Sequence, residues 1–333
     1  MKNLKKNVVG LLLVSLMAAV VTGCGAGTKE AESTEKVPTV GIIQYVEHSA
    51  LDAAREGFVQ ALADNGYVDG KTVKIDVQNA QGDQSNLASI SDRFVSNNDD
   101  LVLAIATPAT QAIAGKTTTI PILGTAVTDY EVARLVDSNE TPGQNVTGTT
   151  DMNPVQEQID LLQKLVPTAK TVGVLYTSSE DNSVLQAKLA KEAIEKAGMK
   201  YVEVTVTNSN DVQQATQSIV GKCDALYVPT DNIIASAMPV VHGITAESKT
   251  PVICGESGMV QNGGLATLGI NYKDLGYQTG LMAVKILKGE ATPATMPIEK
   301  SKKFDFAING TVAKEIGLEI PADLQQYVIE DKK

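Results

Sequence analysis

The chain has 333 residues, 43% of them hydrophobic and 20% charged, and its 28 basic and 39 acidic residues give a net charge of -11. This acidic balance argues against a nucleic-acid partner and against adhesion to anionic lipid headgroups, because both need basic surface. Only two histidines and three cysteines occur, with no CxxC pair, so neither a zinc site nor a haem site is expected.

The first 24 residues have the pattern of a secreted lipoprotein. Three lysines precede an almost unbroken apolar run over residues 8–21, and the sequence VTGC, which ends at Cys24, resembles a lipobox. The run is short for a membrane-spanning helix, which needs about 20 residues. We therefore expect cleavage before Cys24, lipidation of its thiol, and a location on the extracytoplasmic face of the cell membrane. An uncleaved N-terminal anchor is the alternative.

The residues that follow Cys24 are predicted to form a flexible tether. Cleavage would remove three lysines, so 25 basic and 39 acidic residues would leave the mature chain with a net charge of -14. Residues 24–37 are mostly small, polar or charged and offer little to bury. The roughly 295 residues that remain are enough for two ordinary domains.

From residue 40 onwards, short apolar runs alternate with amphipathic helical patterns. Strands are predicted at 40–43, 73–77, 101–106, 121–124, 146–148, 171–176, 201–206, 225–228 and 252–254, and helices at 51–66, 86–96, 109–116, 155–165, 182–197, 211–220, 233–247 and 275–287. Strands separated by helices of this length imply parallel sheets joined by right-handed crossovers. The predicted fold class is therefore α/β.

Two stretches of the chain share one order of helix, glycine turn, strand, polar loop and helix. They are GYVDGKTVKIDVQNAQGDQSN at 66–86 and AGMKYVEVTVTNSNDVQQA at 197–215. The repetition predicts two Rossmann-like lobes, residues 38–147 with 272–302 and residues 148–271 with 303–333. Residues 265–270 are expected to lead back to the first lobe and residues 304–308 to return to the second. Three such crossings would make a hinge.

The two remaining cysteines, Cys223 and Cys254, fall at opposite ends of two apolar runs. If these runs are parallel strands of one sheet, the sulfur atoms are too far apart for a disulfide. Burial as small hydrophobic side chains is the simpler interpretation.

Motifs for catalysis are incomplete in this sequence. The triplet GKT at 115–117 ends like a phosphate-binding loop, but Thr110 stands where that loop needs a glycine. The segment GESGM at 255–259 resembles a nucleophile elbow, but Met259 replaces its second glycine. His48 and His242 lie in no triad order. We therefore predict no catalytic residue, no cofactor and no metal, and we do not expect an enzyme.

Polar side chains gather where the predicted strands reach their carboxyl ends, and ligands of open α/β sheets bind at that edge. The candidate ligand-binding residues are Gln44, His48, Thr107, Pro108, Thr125, Asp129, Asp151, Tyr176, Ser178, Ser179, Asn182, Asp231, Glu256 and Asn271. Helix N-capping is the alternative for Asp181, Asn182, Asp231 and Asn232. Helix starts suit a ligand carboxylate and acidic side chains suit an ammonium, so a zwitterion such as an amino acid is favoured over a neutral sugar.

At these residues the chain resembles the substrate-binding lipoproteins of tryptophan/tyrosine-type ABC transporters. The matching segments are GIIQYVEHSALDAAREGF at 41–58, NAQGDQSNLASI at 79–90, AIATPATQAIA at 104–114, NVTGTTDMNP at 145–154, VGVLYTSSEDNS at 172–183, DALYVPTDNIIAS at 224–236 and LGYQTGLMAVKILKG at 275–289. The resemblance spans roughly residues 38–325. It implies the type I periplasmic binding fold, in which two lobes close over a ligand.

The resemblance also implies a ligand, partners and roles for the site residues. The ligand would be an aromatic amino acid (tryptophan, phenylalanine or tyrosine), delivered to permease and ATPase subunits on separate chains. Its carboxylate would be held by Thr107, Ser178, Ser179 and Asn182, its ammonium by Asp231 with Asp129 or Glu256, and its side chain by Gln44, His48, Pro108 and Tyr176. Stacking on an aromatic ligand adds about 0.5–1.5 kcal/mol beyond area burial.

The chain departs from the family pattern at two positions. The family often has Asp-Pro where this chain has Asp129-Tyr130, and frequently Asp where this chain has Asn271. Alternative functions are a lipoprotein that senses the ligand for a receptor and a binding protein for another amino acid, a short peptide or a sugar. An enzyme on a doubly wound fold is a further alternative.

Overall fold

The computed structural model describes residues 36–301 and 303–329. The predicted signal peptide, Cys24 and nearly all of the predicted tether lie outside these residues. Within them, no helix is long and apolar enough to cross a membrane.

Thirteen strands and eleven α-helices alternate along the described residues. The strands are β1 (Thr39–Gln44), β2 (Lys74–Asn79), β3 (Leu101–Ile105), β4 (Ile122–Val127), β5 (Val146–Thr150), β6 (Thr171–Thr177), β7 (Lys200–Val206), β8 (Ala225–Val228), β9 (Val252–Cys254), β10 (Ala266–Gly269), β11 (Glu299–Lys300), β12 (Asp305–Asn309) and β13 (Val328–Ile329). The helices are α1 (Ser49–Asp64), α2 (Gln84–Asn97), α3 (Thr107–Ala114), α4 (Val155–Leu165), α5 (Asp181–Lys196), α6 (Val212–Val220), α7 (Asn232–Ser236), α8 (Met238–Glu247), α9 (Ser257–Gln261), α10 (Tyr272–Leu287) and α11 (Gly310–Ile316).

The strands form two sheets. The six-stranded sheet has the order β11-β5-β4-β3-β1-β2, and the seven-stranded sheet has the order β13-β12-β10-β9-β8-β6-β7. Every pairing is parallel in the first sheet, and in the second only β10 and β12 pair antiparallel. The predicted α/β class with two mostly parallel sheets is confirmed. We call each sheet with the helices that cover it the first lobe and the second lobe.

Burial explains why the central strands read as continuous apolar runs. Every residue of β3 and β4 is buried, as expected when helices cover both faces of a parallel sheet. The edge strands β2 and β7 are mostly half-buried or exposed. The core is therefore deepest under the middle of each sheet, and the carboxyl ends of the central strands lie beside that core.

Helix α10 joins the first lobe although its sequence lies far from the rest of that lobe. It packs against α1 at very short range, because a Cβ atom at Gly276 would lie 1.8 Å from the carbonyl oxygen of Ala54. A side chain at Gly57 would likewise meet the backbone of Lys273 at 2.0 Å. These glycines hold α10, and the chain that enters it, in a fixed position on the first lobe.

Three connections join the lobes: residues 151–154 after β5, residues 270–271 after β10, and the link between β11 and β12. Two sequence-based boundaries need correction. Strand β5 continues to Thr150 in the first sheet, three residues beyond the predicted boundary at 147, because Val127 and Thr150 still pair. Segment 265–270 does not lead away from the second lobe until after Gly269, because β10 pairs with β9 and β12.

Both cysteines in the described residues are free. Cys254 is buried at the end of β9, and Cys223 is half-buried just before β8. Burial raises the pKa of the Cys223 thiol to about 11 and that of Cys254 well above its usual range. These thiols therefore act as small apolar groups and not as nucleophiles.

Candidate ligand-binding site

A small cavity lies between the carboxyl edges of the two sheets. Its volume is about 10 Å³, the space of a single water-sized sphere. The first lobe lines it with His48, Leu51, Ala126, Asp151 and Tyr272, and the second with Asn182, Thr230, Asp231, Asn232, Glu256 and Met259. The structure thus brings together five of the predicted site residues: His48, Asp151, Asn182, Asp231 and Glu256.

Side-chain hydrogen bonds join the lobes around this cavity. They run from Gln111 Nε2 to Asp181 Oδ2 (2.9 Å), from Gln186 Nε2 to Thr128 Oγ1 (3.3 Å), from Asn262 Nδ2 to Ser49 Oγ (3.0 Å), and between His48 Nε2 and Asn232 Oδ1 (3.4 Å). Such contacts exist only when the two edges face each other at short range. The structure is therefore that of a closed cleft.

Asp231 caps helix α7 and ties it to β6. Its Oδ1 accepts hydrogen bonds from the Ile234 amide and the Thr177 hydroxyl, both at 2.8 Å, and its Oδ2 accepts from the Thr177 amide at 2.5 Å. Burial raises the pKa of Asp231. Asp231 is therefore a helix cap, as the alternative interpretation expected, and it also lines the cavity.

Glu256 begins helix α9 in the same way. Its carboxylate accepts from the amides of Gly258 and Met259, the latter at 2.8 Å. Burial raises the pKa of Glu256 to about 7, against the opposing effect of these two bonds, and the charge of Asp151 adds to the rise. The residue is both a cap and a buried acidic group at the cleft.

Asp151, the first residue of the connection after β5, is the acidic group on the first-lobe side of the cavity. Its Oδ2 accepts from the Tyr272 hydroxyl at 2.7 Å and its Oδ1 from the Thr128 hydroxyl at 3.0 Å. Burial raises the pKa of Asp151. Tyr272, the first residue of α10, was not among the predicted site residues, and this bond joins the connection at residues 151–154 to the start of α10.

Glu180 is a buried carboxyl that sequence reasoning missed. It lies in the loop between β6 and α5, is only 1% exposed, and accepts hydrogen bonds from Asn182, Asn232 and the Ile233 amide. Burial raises its pKa to about 8, and the charge of Asp231 adds to the rise. The one feature of the sequence that could have identified Glu180 is its place just before helix α5, at the N-cap position. The polar run SSED is typical of an exposed loop and did not indicate a buried residue.

The cleft is rich in buried carboxyl groups and poor in cations. Asp151, Glu180, Asp231 and Glu256 are all buried, whereas no lysine or arginine is buried among the described residues. Carboxylates only accept hydrogen bonds when they are ionised. The closed cleft therefore favours a ligand that brings a positive charge and hydrogen-bond donors.

His48 and Asn182 each present a buried polar atom without a partner. Burial lowers the pKa of His48 to about 4, so its ring is neutral near pH 7, and its Nδ1 has no hydrogen-bond partner. The amide nitrogen of Asn182 donates to the Thr230 carbonyl at 3.0 Å and to Glu180, which leaves its Oδ1 unpaired. Unpaired buried polar atoms are uncommon in folded proteins, and at this cavity both atoms can accept a hydrogen bond from a ligand.

Residues 39–332 match the family model of ABC transporter substrate binding proteins. The chain belongs to this family. It is 40% identical over 336 residues to a tyrosine-binding protein of Clostridioides difficile (strain R20291), covering 98% of this chain and 97% of that protein. The family consists of binding proteins, so the predicted family and the prediction that the chain is not an enzyme are confirmed.

Two solved structures of similar proteins, one with a ligand and one open and ligand-free, can be compared with the closed cleft. An ABC domain in complex with L-Trp from Streptococcus pneumonia has 40% identity and a TM-score of 0.85, covering 89% of this chain and 99% of that one. A ligand-free, open substrate binding protein from Clostridium difficile has 48% identity but a TM-score of only 0.67, with 89% and 100% covered. The lower structural similarity at higher identity indicates a different lobe arrangement, as expected if this binding protein is closed.

The structure places three predicted residues outside the cleft of this binding protein. The Tyr176 hydroxyl donates to Glu203 on the neighbouring strand β7 at 3.1 Å. Ser178 and Ser179 are exposed, and the Ser178 hydroxyl donates to the Val206 carbonyl at 3.2 Å. They were expected at a helix start, but α5 begins only at Asp181. They line neither a side-chain pocket nor a carboxylate site here.

Three further predicted residues make contacts elsewhere. The Thr125 hydroxyl lies in the core of the first lobe, 3.1 Å from Thr149. Asp129 accepts from the amides of the turn that follows it and lines a separate cavity of about 290 Å³. Asn271 is exposed and caps α10 through the Lys273 amide at 3.0 Å. The structure therefore does not place Asp129 with Asp231 as a joint ammonium site.

The remaining predicted residues lie at the carboxyl edge of the first sheet without lining the cavity. Gln44 is fully buried, donates to the Val46 carbonyl and to Asp52, both at 2.9 Å, and leaves its Oε1 unpaired. Thr107 and Pro108 begin α3, and the buried Thr107 hydroxyl has no partner. Gln44 and Thr107 thus resemble His48 and Asn182 in having unused hydrogen-bonding capacity.

Proposed function

We propose that this protein is a lipid-anchored, extracytoplasmic receptor that captures one free aromatic L-amino acid between its lobes. It delivers that ligand to an ABC importer whose permease and ATPase subunits are separate chains. The observation that carries the proposal is the closed cleft with buried carboxyls on both sides and, among residues 36–301 and 303–329, no buried lysine or arginine. The tyrosine-binding and L-Trp-bound relatives support an aromatic amino acid as the ligand.

The ammonium of the ligand lies at the carboxyl groups of the cavity. Asp151 faces it from the first lobe, and Asp231 and Glu256 face it from the second. Although each already accepts hydrogen bonds, an ionised carboxylate has about four acceptor positions, so a further donor can be accommodated. An ammonium also offsets the repulsion between these buried groups.

The carboxylate of the ligand lies at the start of α3. The first amides of a helix have no partner within it and carry a partial positive charge. In α3 these are the amides of Thr107 and Ala109, because Pro108 has no N–H. Here they stand beside the buried Thr107 hydroxyl, which also has no partner. In this account the first lobe binds the ligand carboxylate, and Ser178 and Ser179 do not. Asn182 faces the ligand ammonium, because its unpaired atom is an acceptor.

Ligand binding and hinge closure are coupled in this account. The lobes touch in the closed state and leave only about 10 Å³ between them, so the ligand enters an open cleft and takes the place of part of the inter-lobe contacts. Because a ligand that bridges both edges contacts them fully only when they approach, it stabilises the closed state. Small-angle scattering should show a smaller radius with saturating ligand than without.

The membrane anchor is the part of the proposal that depends on sequence alone. Cys24 follows an apolar run and a lipobox-like VTG, and two acyl chains suffice to hold a protein at a membrane without a spanning helix. A clickable fatty acid should label the wild-type chain in its host cells and should not label Cys24→Ala. A wild-type chain that takes up no label would contradict the anchor and leave the ligand proposal intact.

The ligand proposal has a direct test, because the chain contains no tryptophan. Indole fluorescence in a titration with L-tryptophan therefore comes from the ligand alone. After removal of any retained ligand by unfolding and refolding, we expect saturable binding at one site, with displacement by L-tyrosine or L-phenylalanine. Absence of binding for all three, with a folded protein, would contradict an aromatic ligand.

A further inference from the structure

The Glu180 side chain is the acceptor in each of its hydrogen bonds. Its Oε2 accepts from the side-chain amides of Asn182 and Asn232 and from the Asn232 backbone amide at 3.4 Å, while its Oε1 accepts from the Ile233 amide at 3.2 Å. Glu180 does not itself line the cavity, but both asparagines do. The buried carboxyl therefore acts on the cavity through those two side chains.

The orientation of both asparagine amides follows from this arrangement. A backbone carbonyl can only accept hydrogen bonds, and so can Glu180 in its ionised form, which a ligand ammonium favours. The nitrogen of Asn182, which faces both Glu180 and the Thr230 carbonyl, therefore cannot exchange places with its oxygen. The nitrogen of Asn232 faces Glu180 for the same reason. Each amide consequently turns its oxygen away from Glu180.

The side-chain oxygen of Asn232 contacts His48 across the cleft and so fixes the proton position on the imidazole ring. It lies 3.4 Å from Nε2 of His48 on the first lobe. Because an amide oxygen only accepts, the neutral imidazole must carry its proton on Nε2, and its Nδ1 is then an acceptor as well. Nδ1 is buried and has no partner, as is the Oδ1 of Asn182.

We infer that Glu180 is a positioning residue that makes this site an acceptor-only pocket. By this we mean that Asn182, His48 and the neighbouring carboxyls all present hydrogen-bond acceptors to the ligand. Such a site selects ligands with a primary ammonium group. The inference rests on the proposed function and adds to it a selection rule. A primary ammonium offers three donors on one atom, whereas a deaminated analogue offers none at that place. Aromatic acids without an amino group are therefore poor ligands.

The test compares two probes on Glu180→Gln. L-tryptophan carries the ammonium and indole-3-propionate lacks it, and both report through indole fluorescence. Glutamine brings a donor to a place where every neighbour already donates, so at least one asparagine amide must turn its nitrogen into the cavity. Affinity for L-tryptophan should fall about tenfold to a hundredfold, in the range of a lost hydrogen bond to a charged group. Affinity for indole-3-propionate should stay the same or rise.

A matched control is Glu203→Gln, the same chemical change on the same lobe. Glu203 is exposed and accepts from Tyr176 and Tyr201 at the outer strand, so both affinities should remain at their wild-type values. A purely structural role for Glu180 would weaken both probes equally and would overturn the inference. So would unchanged affinity for L-tryptophan.

A second variant covers the case in which Glu180→Gln does not fold. His48→Phe removes the acceptor on the first lobe, where no contact with Glu180 is at stake, and should again weaken L-tryptophan more than indole-3-propionate. Equal weakening of the two probes by this variant would contradict the selection rule. A folded wild-type protein that binds no amino acid would overturn the proposed function itself, and this inference with it.

Discussion

The two edges of the cleft are built differently. The second-lobe edge carries Glu180, Asp231 and Glu256, and each of these buried carboxyls already accepts the amides that begin a short helix. The first-lobe side carries one buried carboxyl, that of Asp151, and differs in its neutral groups, because Gln44, His48 and Thr107 each have a buried polar atom without a partner. The carboxyls of the second-lobe edge thus stabilise the helices that they cap, whereas the unpaired atoms of the first-lobe groups cost stability unless a ligand pairs with them.

The largest effect that we expect is that of pH on the free energy of unfolding of the ligand-free protein. Burial raises the pKa of Glu180 from 4.5 to about 8 and that of Glu256 to about 7, so the folded state holds protons that the unfolded state releases. Stability should therefore fall as the pH rises from about 5 to about 8, by about 1.4 kcal/mol per pH unit for each extra proton held. Urea unfolding at several pH values measures this fall.

Two comparisons make this pH prediction specific. Glu180→Gln should show a shallower fall than the wild type, because one of the titrating groups is gone. Saturating amino acid should also flatten it, because its ammonium favours the ionised carboxyls. Stability that rises through the same pH range would contradict the description of the second-lobe edge.

Next in size is Asp231→Ala. The change removes the acceptor of two buried amides, those of Thr177 and Ile234, and each unpaired buried donor costs about 1–3 kcal/mol. Relief of repulsion with Glu180 offsets part of this, so we expect the free energy of unfolding to fall by about 2–4 kcal/mol. Binding should weaken as well. Asp231→Asn is no neutral cap replacement here, since its amide nitrogen would face a donor, and it should show a smaller loss of the same kind.

Thr107→Val should weaken ligand binding without lowering stability, whereas Asp231→Ala should lower both. The hydroxyl is buried without a partner, so its removal should leave the ligand-free protein as stable as before or slightly more stable. Affinity should fall about tenfold to a hundredfold, the size of one hydrogen bond to a charged group such as the ligand carboxylate. Melting curves and titrations on the same sample test both signs. Lower stability together with unchanged affinity would return Thr107 to a structural role.

The smallest effect is expected from Tyr176→Phe. Its hydroxyl contacts Glu203 on the outer strand β7 and not the cavity, so ligand affinity should equal that of the wild type. The exposed contact should contribute only a few tenths of a kcal/mol to stability. A clear loss of affinity would show that the outer strand belongs to the site, which would contradict the comparison of the two edges.

The strand-and-helix alternation was enough to predict the fold class, because parallel strands under helices give apolar runs at regular spacing. The rule that ligands lie at carboxyl edges also found five of the residues that line the cavity. It could not distinguish a cap from a ligand contact, since Asp231, Asn271 and Glu256 use the same chemistry for both. Only tertiary structure shows that Asp231 faces the cavity while Asn271 faces solvent.

Other parts of the site depend on contacts that no local pattern encodes. Glu180 stands in the polar run SSED, which is typical of an exposed loop, and is buried because Asn232 and the start of α7 cover it. The orientation of Asn182 depends on the Thr230 carbonyl, 48 positions away. Sequence reasoning assigned Asn182 to the ligand carboxylate, but the direction of its amide suits the ammonium.

The measurement that tests the central claim most directly is the identity of the ligand that the protein retains. The chain from Val37 onwards, purified without added ligand, is unfolded, and the released small molecules are identified and counted by mass spectrometry. The account predicts an aromatic amino acid, with its primary amine intact, at close to one molecule per protein chain. A sugar or any other compound without a primary amine at that ratio would contradict it.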